Sequence, residues 1–132
     1  MDIPIRISGY LVSTQWDTWM EMKLTPENHD SKLRINGIKA WADGSTQGGS
    51  AFFREDYLKK EWGRGSPNYS QEHLNDVVFK AHEKYWQVGV HCNGDAAVDM
   101  ALDAFEEANK KCPREGLRHR LEHATFTREE HY

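Results

Sequence analysis

The sequence predicts an α/β fold built from parallel βα units, and three observations carry that expectation. Segments of period two, rich in Ile and Val, alternate along the chain with segments of helical period. Their order reads β, α, β, long loop, α, β, α, β, with a further helix starting as the chain ends. His91 and His123 stand one βα unit apart, each at the carboxyl end of a strand-like segment.

The first strand is IPIRISGYLV, residues 3–12. Ser13 or Thr14 offers an N-cap for a short helix carrying Trp16, Trp19, Met20 and Leu24, which Pro26 closes. LRINGIKAWA, residues 33–42, reads as the second strand, with Gly37, Lys39 and Trp41 on one face and Ile38, Ala40 and Ala42 on the other. Residues 43–69 hold the turn-rich stretches DGSTQGGS and GRGSPNYS, and loops of this length usually serve binding. Ser70 caps a helix over residues 71–86, with Leu74, Val77, Val78, Ala81 and Tyr85 on one stripe. QVGVHC is the third strand. Asn93, Gly94 and Asp95 turn into a helix over 96–111, with Asp95 as its N-cap and Ala97, Ala101, Ala104, Phe105 and Ala108 on one side. LRHRLEHA, residues 117–124, is the fourth strand. Thr127 and Glu130 have capping-box spacing.

A length of 132 residues suits one domain. Leu, Ile, Val and Phe make up only 24 residues, but five Trp and five Tyr add apolar area and the net charge is only −4, so the chain is expected to fold. That balance gives no reason to expect nucleic acid or an anionic membrane. No apolar run is long enough to span a bilayer and the start lacks a signal peptide's zones. Cys92 and Cys112 form neither a zinc pair nor a disulfide framework, as in a reduced, cytoplasmic protein.

Two strand-end imidazoles lie side by side in a parallel sheet and make half of a plausible zinc site, although strand-end histidines are often only hydrogen-bonded or solvated. Lys39 lies within an apolar strand. Either it snorkels or pairs with a carboxylate, or burial lowers its pKa enough for the neutral amine to take up carbon dioxide as a carbamate, an oxygen ligand for metals. Glu122 suits either a supporting carboxylate for His123 or an ion pair with Arg118 or Arg120. Alternation in the fourth strand turns Arg118, Arg120 and Glu122 toward the helices, which no simple burial argument explains. Trp41, Phe52, Phe53 and Tyr57 suit a substrate cavity or the core. His29, His73, His82 and His131 sit on polar segments and read as surface residues. No GxSxG, P-loop, GxGxxG or HExxH motif occurs.

RINGIKAWADGSTQGGSA, VGVHCNGDAAVDMALDAFEEA and RHRLEHA, in this order and spacing, resemble the strand-four, strand-five and strand-six blocks of the amidohydrolase superfamily. The likeness is to its family 3, which includes hydrolases like N-substituted formamide deformylase. The resemblance implies a (β/α)₈ barrel hydrolase that uses zinc or a similar divalent ion to cleave non-peptide C–N bonds of small amide-type substrates. It matches His91 and His123 to the strand-five and strand-six ligands, and Lys39 to a strand-four lysine that many members carboxylate. Asp95, Glu122 and Trp41 then become supporting or substrate-binding residues. The family's first-strand HxH pair occurs nowhere in this sequence, and its last-strand aspartate, the general base, is expected outside the chain. The expectation is therefore one partial barrel domain over 1–132, covering about strands three to six and truncated at both ends. As an isolated chain it should be inactive and bind zinc weakly, and its open edges should make it a homo-oligomer. The alternative is a non-catalytic, self-associating half-barrel with a structural or regulatory role.

Overall fold

A computed structural model describes residues 4–132. Four parallel strands, β1 (Ile7–Val12), β2 (Leu33–Trp41), β3 (Val88–Cys92) and β4 (Arg120–His123), form one sheet in the order β1-β2-β3-β4. The helices between them are α1 (Trp16–Glu21), α2 (Gln71–Glu83) and α3 (Asp95–Lys111). The α/β expectation therefore holds, and the strand order is the one successive βα units of a barrel require. β1 starts later than the sequence suggests, and Ile3 lies outside the described residues.

The core lies between one face of this sheet and the paired helices α2 and α3. Ile38, Ala40, Val88, Val90 and Cys92 are buried on that face against Leu74, Val78 and Ala81 of α2 and Ala97, Val98, Ala101 and Ala104 of α3. The small α3 side chains let the two helices approach closely, because an alanine stripe adds little thickness to the layer.

Four element ends differ from the sequence reading. α2 stops at Glu83 because Tyr85 takes φ 62°, and the amides of Tyr85 and Trp86 donate back to the carbonyls of His82 and Ala81. That is a Schellman ending with tyrosine where glycine is usual, and it drops Trp86 into the core. α3 begins at Asp95, with Gly94 as its N-cap, so Asp95 is a first-turn residue. Neither Ser13 nor Thr14 caps α1: a 3-10 turn over Ser13–Gln15 leads into it without a side-chain cap. At the carboxyl end the Thr127/Glu130 capping box does not form. His131 Nδ1 instead accepts from the Arg128 amide at 3.0 Å, at a short 3-10 turn.

β4 resolves the alternation problem by being short. Arg118 precedes it at φ 48°, and Arg120 and Glu122 pair in register with Gly89 and His91, on the Lys39 face away from the helices. Leu121 and His119 take the helix side instead. There His119 meets Phe105 and the buried His82, so His82 is a core residue and not a surface one. His131 is also largely enclosed, its side chain 4% exposed and bonded to Asp99, while His29 and His73 are exposed as expected.

Candidate metal centre

The candidate centre lies at the carboxyl ends of β2, β3 and β4, on the sheet face opposite the helices. His91 and His123 meet there edge to face, with ring centroids 4.7 Å apart. Alternation alone would not bring them together, because His123 is in register with Cys92, whose side chain is buried under the sheet. His123 at φ 73° and Ala124 at φ 44° break the strand geometry with two consecutive left-handed residues, and the His123 ring reaches the other face. Non-glycine residues adopt this region at a cost, and such strain concentrates at functional sites.

His91 is held by the loop that follows β2. Its Nε2 lies 2.9 Å from the Gly44 carbonyl, 3.4 Å from Asp43 Oδ1 and 3.2 Å from Asn93 Nδ2. The Asn93 amide itself donates to Gly44 O at 2.9 Å. Two acceptors face Nε2, so the network assigns the proton there and leaves the Nδ1 lone pair available to a metal.

Asp43 is a residue that the sequence pattern does not single out. It is 1% exposed, and its carboxylate accepts the amides of Phe52 and Gly94 on Oδ2 (2.9 and 2.8 Å) and of Asn93 on Oδ1 (2.9 Å). One side chain thus ties the 43–69 loop to the β3–α3 turn and braces His91. The loop is closed by the Asn68 amide on Ala42 O and the Asn68 side chain on Asp43 O. A Cβ at Gly94 would collide with the Phe52 carbonyl, so this close approach requires glycine. The sequence signal for Asp43 was only its place directly after the Lys39 strand.

Lys39 lies on the same face, half-buried, donating from Nζ to Ala40 O at 3.1 Å and sitting 5.0 Å over the Trp41 ring. Burial pushes its pKa below the ordinary lysine value, partly opposed by the Glu122 carboxylate. Glu122 pairs with Arg120 through Oε1, at 2.6 Å and 3.0 Å. Asp95 is committed to structure: Oδ1 accepts the amides of Ala96 and Arg54, each at 2.9 Å, and Oδ2 takes Arg128 Nε. Burial pushes the Cys92 thiol up to about 12, which removes it as a thiolate donor. The structure therefore brings together His91 and His123, places Lys39, Trp41 and Glu122 on the same face, and sets Asp95 into the loop contacts. Among the described residues no three His, Cys, Asp or Glu side chains converge as a metal cluster. The two imidazoles are donors of a kind that suits a divalent ion.

Residues 2–132 match the family profile described as the amidohydrolase family. The Arabidopsis thaliana protein LONG AFTER FAR-RED 3 is 32% identical over 121 residues, which cover 91% of this chain and 21% of that protein. The Bacillus subtilis (strain 168) protein named "Putative amidohydrolase YtcJ" is 34% identical over 92 residues, 70% of this chain and 17% of that one. The crystal structure of an uncharacterized metal-dependent hydrolase from Pyrococcus furiosus superimposes with a TM-score of 0.82 and 31% identity, covering 97% of this chain and 26% of that one. The chain thus spans between 17% and 26% of the length of these proteins. A match that runs from residue 2 to residue 132, with the four-stranded fold shared throughout, means that the chain belongs to the amidohydrolase family.

Proposed function

We propose that this chain supplies part of the centre of a metal-dependent hydrolase acting on non-peptide C–N bonds, with His91, His123 and a carboxylated Lys39 as ligands and zinc as the metal. The observation that carries this reading is the His91–His123 ring contact at adjacent parallel strand ends. A bound divalent ion would lower the pKa of its water toward neutrality and polarise the scissile carbonyl. The chain's own residues do the rest. Asp43 and Gly44 keep the His91 proton on Nε2, and the strained turn at His123 presents the second imidazole. Burial of Lys39 raises the fraction of neutral amine, which attacks carbon dioxide; the N–C bond forms and a proton leaves, giving an anionic carbamate. Trp41 covers that side chain, and Glu122 is held in place by Arg120.

Catalytic zinc commonly has three protein ligands, and two imidazoles with an unmodified lysine fall short of that set. The isolated 132 residues should bind zinc weakly and hydrolyse no formamide or N-acyl amine. Calorimetric zinc titration of the wild type and of the His91→Ala/His123→Ala variant tests the reading: equal binding by both would overturn it. A ¹³C-labelled bicarbonate experiment, expected to show a carbamate resonance that Lys39→Met abolishes, tests the third ligand.

One observation supports a second reading. Among the described residues β1 pairs only with β2 and β4 only with β3, so both sheet edges present unpaired backbone groups that favour self-association into a non-catalytic assembly. A stable monomer by sedimentation at micromolar concentration counts against it.

A further inference from the structure

The chain beyond each candidate imidazole is tied to the chain beyond the other. β4 ends at His123, yet the residues after it keep bonding to the end of β3: the Ala124 amide donates to Cys92 O at 3.0 Å and the Phe126 amide to Asn93 O at 2.9 Å. These bonds carry the backbone through the left-handed residues His123 and Ala124 and hold the turn against Cys92 and Asn93, which directly follow His91. From the other side the Asn93 backbone amide donates to Asp43 Oδ1 at 2.9 Å. All of these use the backbone groups of residues 92 and 93, which any non-proline residue would supply there.

The Asn93 side chain adds what the backbone does not. Its Nδ2 donates to Gly44 O at 2.9 Å, the same carbonyl that accepts from His91 Nε2 at 2.9 Å, and its Oδ1 accepts from the Thr125 hydroxyl. Gly44 O can only accept, so Nδ2 must face it and Oδ1 must face Thr125, which gives the carboxamide one orientation. One planar group thus runs from the anchor of the first imidazole to the segment that carries the second. The rings themselves do not set their spacing. Their centroids lie 4.7 Å apart, and an edge-to-face contact is satisfied anywhere from about 4.5 to about 7 Å. Among the described residues the Asn93 carboxamide is the side chain that bonds to both supports.

We infer that Asn93 is a positioning residue of the centre, its carboxamide holding the His91 and His123 rings at their observed spacing. The inference rests on the hydrolase reading for the metal those rings would bind, and its first test needs no metal. NOE cross-peaks between the ring protons of His91 and His123 are measured in the metal-free chain, with the His82–His119 pair, centroids 5.1 Å apart, as the internal check of folding. In Asn93→Ala, which keeps the backbone bonds, the His91–His123 cross-peak should lose most of its intensity while the His82–His119 cross-peak stays. Thr125→Val should act in the same direction, and Thr125→Ser, which keeps the hydroxyl, should retain the wild-type signal. A role in stability alone would move the unfolding midpoint and leave the cross-peak as it is. Zinc titration of Asn93→Ala should then show about tenfold weaker binding, the usual cost of losing a group that orients a ligand. Unchanged cross-peaks in Asn93→Ala or in Thr125→Val, or a loss in Thr125→Ser equal to that in Thr125→Val, overturn the inference. Zinc binding equal in wild type and His91→Ala/His123→Ala sinks the hydrolase reading, and cross-peaks that still depend on Asn93 leave the positioning role standing. Zinc binding that needs both histidines but is indifferent to Asn93→Ala sinks the positioning role alone.

Discussion

Lowering the pH from 7 to 5 should destabilise this protein through one buried histidine pair. His119 Nδ1 accepts the Val88 amide at 3.0 Å, so its proton must sit on Nε2, which lies 2.8 Å from His82 Nδ1. His82 in turn carries its proton on Nε2, 2.6 Å from the Cys112 carbonyl. Every donor has one acceptor, and both rings are neutral. Protonating His119 would set an Nδ1–H against the Val88 N–H, and protonating His82 would set one against the His119 donor. Burial, with His82 alongside, lowers the His119 pKa from 6.5 to about 4. In the unfolded chain the ring takes its proton near pH 6.5, while the folded chain refuses it until about pH 4. The unfolded state therefore binds more protons in that window, and stability falls as pH drops through it. The full gap corresponds to about 3 kcal/mol, which partial exposure of the ring reduces to about 2, with about 1 lost between pH 7 and pH 5. Urea denaturation followed by tryptophan fluorescence at both pH values measures the loss. His119→Gln can accept from Val88 with its carbonyl and donate to His82 with its amide, without titrating. It should flatten the pH dependence between 4 and 6.5, and parallel profiles for the two proteins would refute the locked-tautomer argument.

Asp43→Asn removes the charge that three backbone amides share and forces an NH₂ among them, so about 3 kcal/mol of stability should be lost in urea denaturation. In the same variant the ¹⁵N shifts of His91 should show mixed tautomers, and a pure Nε2–H signal would mean that Gly44 alone sets the ring. Gly94→Ala should cost more than Gly116→Ala, because the former meets the Phe52 carbonyl and the latter, at φ 79°, meets open space and pays about 1 kcal/mol of backbone strain alone. Equal melting temperatures for the two would contradict the close approach. His123→Gly should raise stability by about 1 kcal/mol by releasing the left-handed strain while weakening zinc binding; a loss of stability would show that the His123 ring, not the turn, holds the strand end.

What was legible in the sequence follows the range of the interactions involved. The α2 stripe as far as Ala81, the α3 stripe, the β2 faces and the strand-end place of His91 rest on local periodicity, and the structure keeps them, whereas Tyr85, read as the last member of the α2 stripe, lies past the helix end and is exposed. The burial of His82 was only half legible: it falls on the Leu74, Val78 and Ala81 stripe of α2, but the partners that satisfy its ring nitrogens, His119 and Cys112, lie 37 and 30 residues away. Asp95 shows the same limit. As a helix-start aspartate it reads as a cap, yet its partners Arg54 and Arg128 come from 41 and 33 residues away.

β4 shows why alternation read from sequence fails where chemistry is concentrated. Counting back from His123 as an inward residue turns Arg120 and Glu122 toward the helices, a placement with no source of charge compensation. Counting from the pairing of Glu122 with His91 puts those charges on the open face, where they bond to each other, and leaves His123 on the wrong side. Both statements hold only if the backbone changes hand at the last residue of the strand, which is what φ 73° at His123 does. The strained residue is thus the price of placing an imidazole at the end of a strand whose other inward positions are already taken by an ion pair. A strand-end histidine that breaks alternation is therefore stronger evidence for a ligand than one that keeps it, because packing alone would have selected the unstrained register.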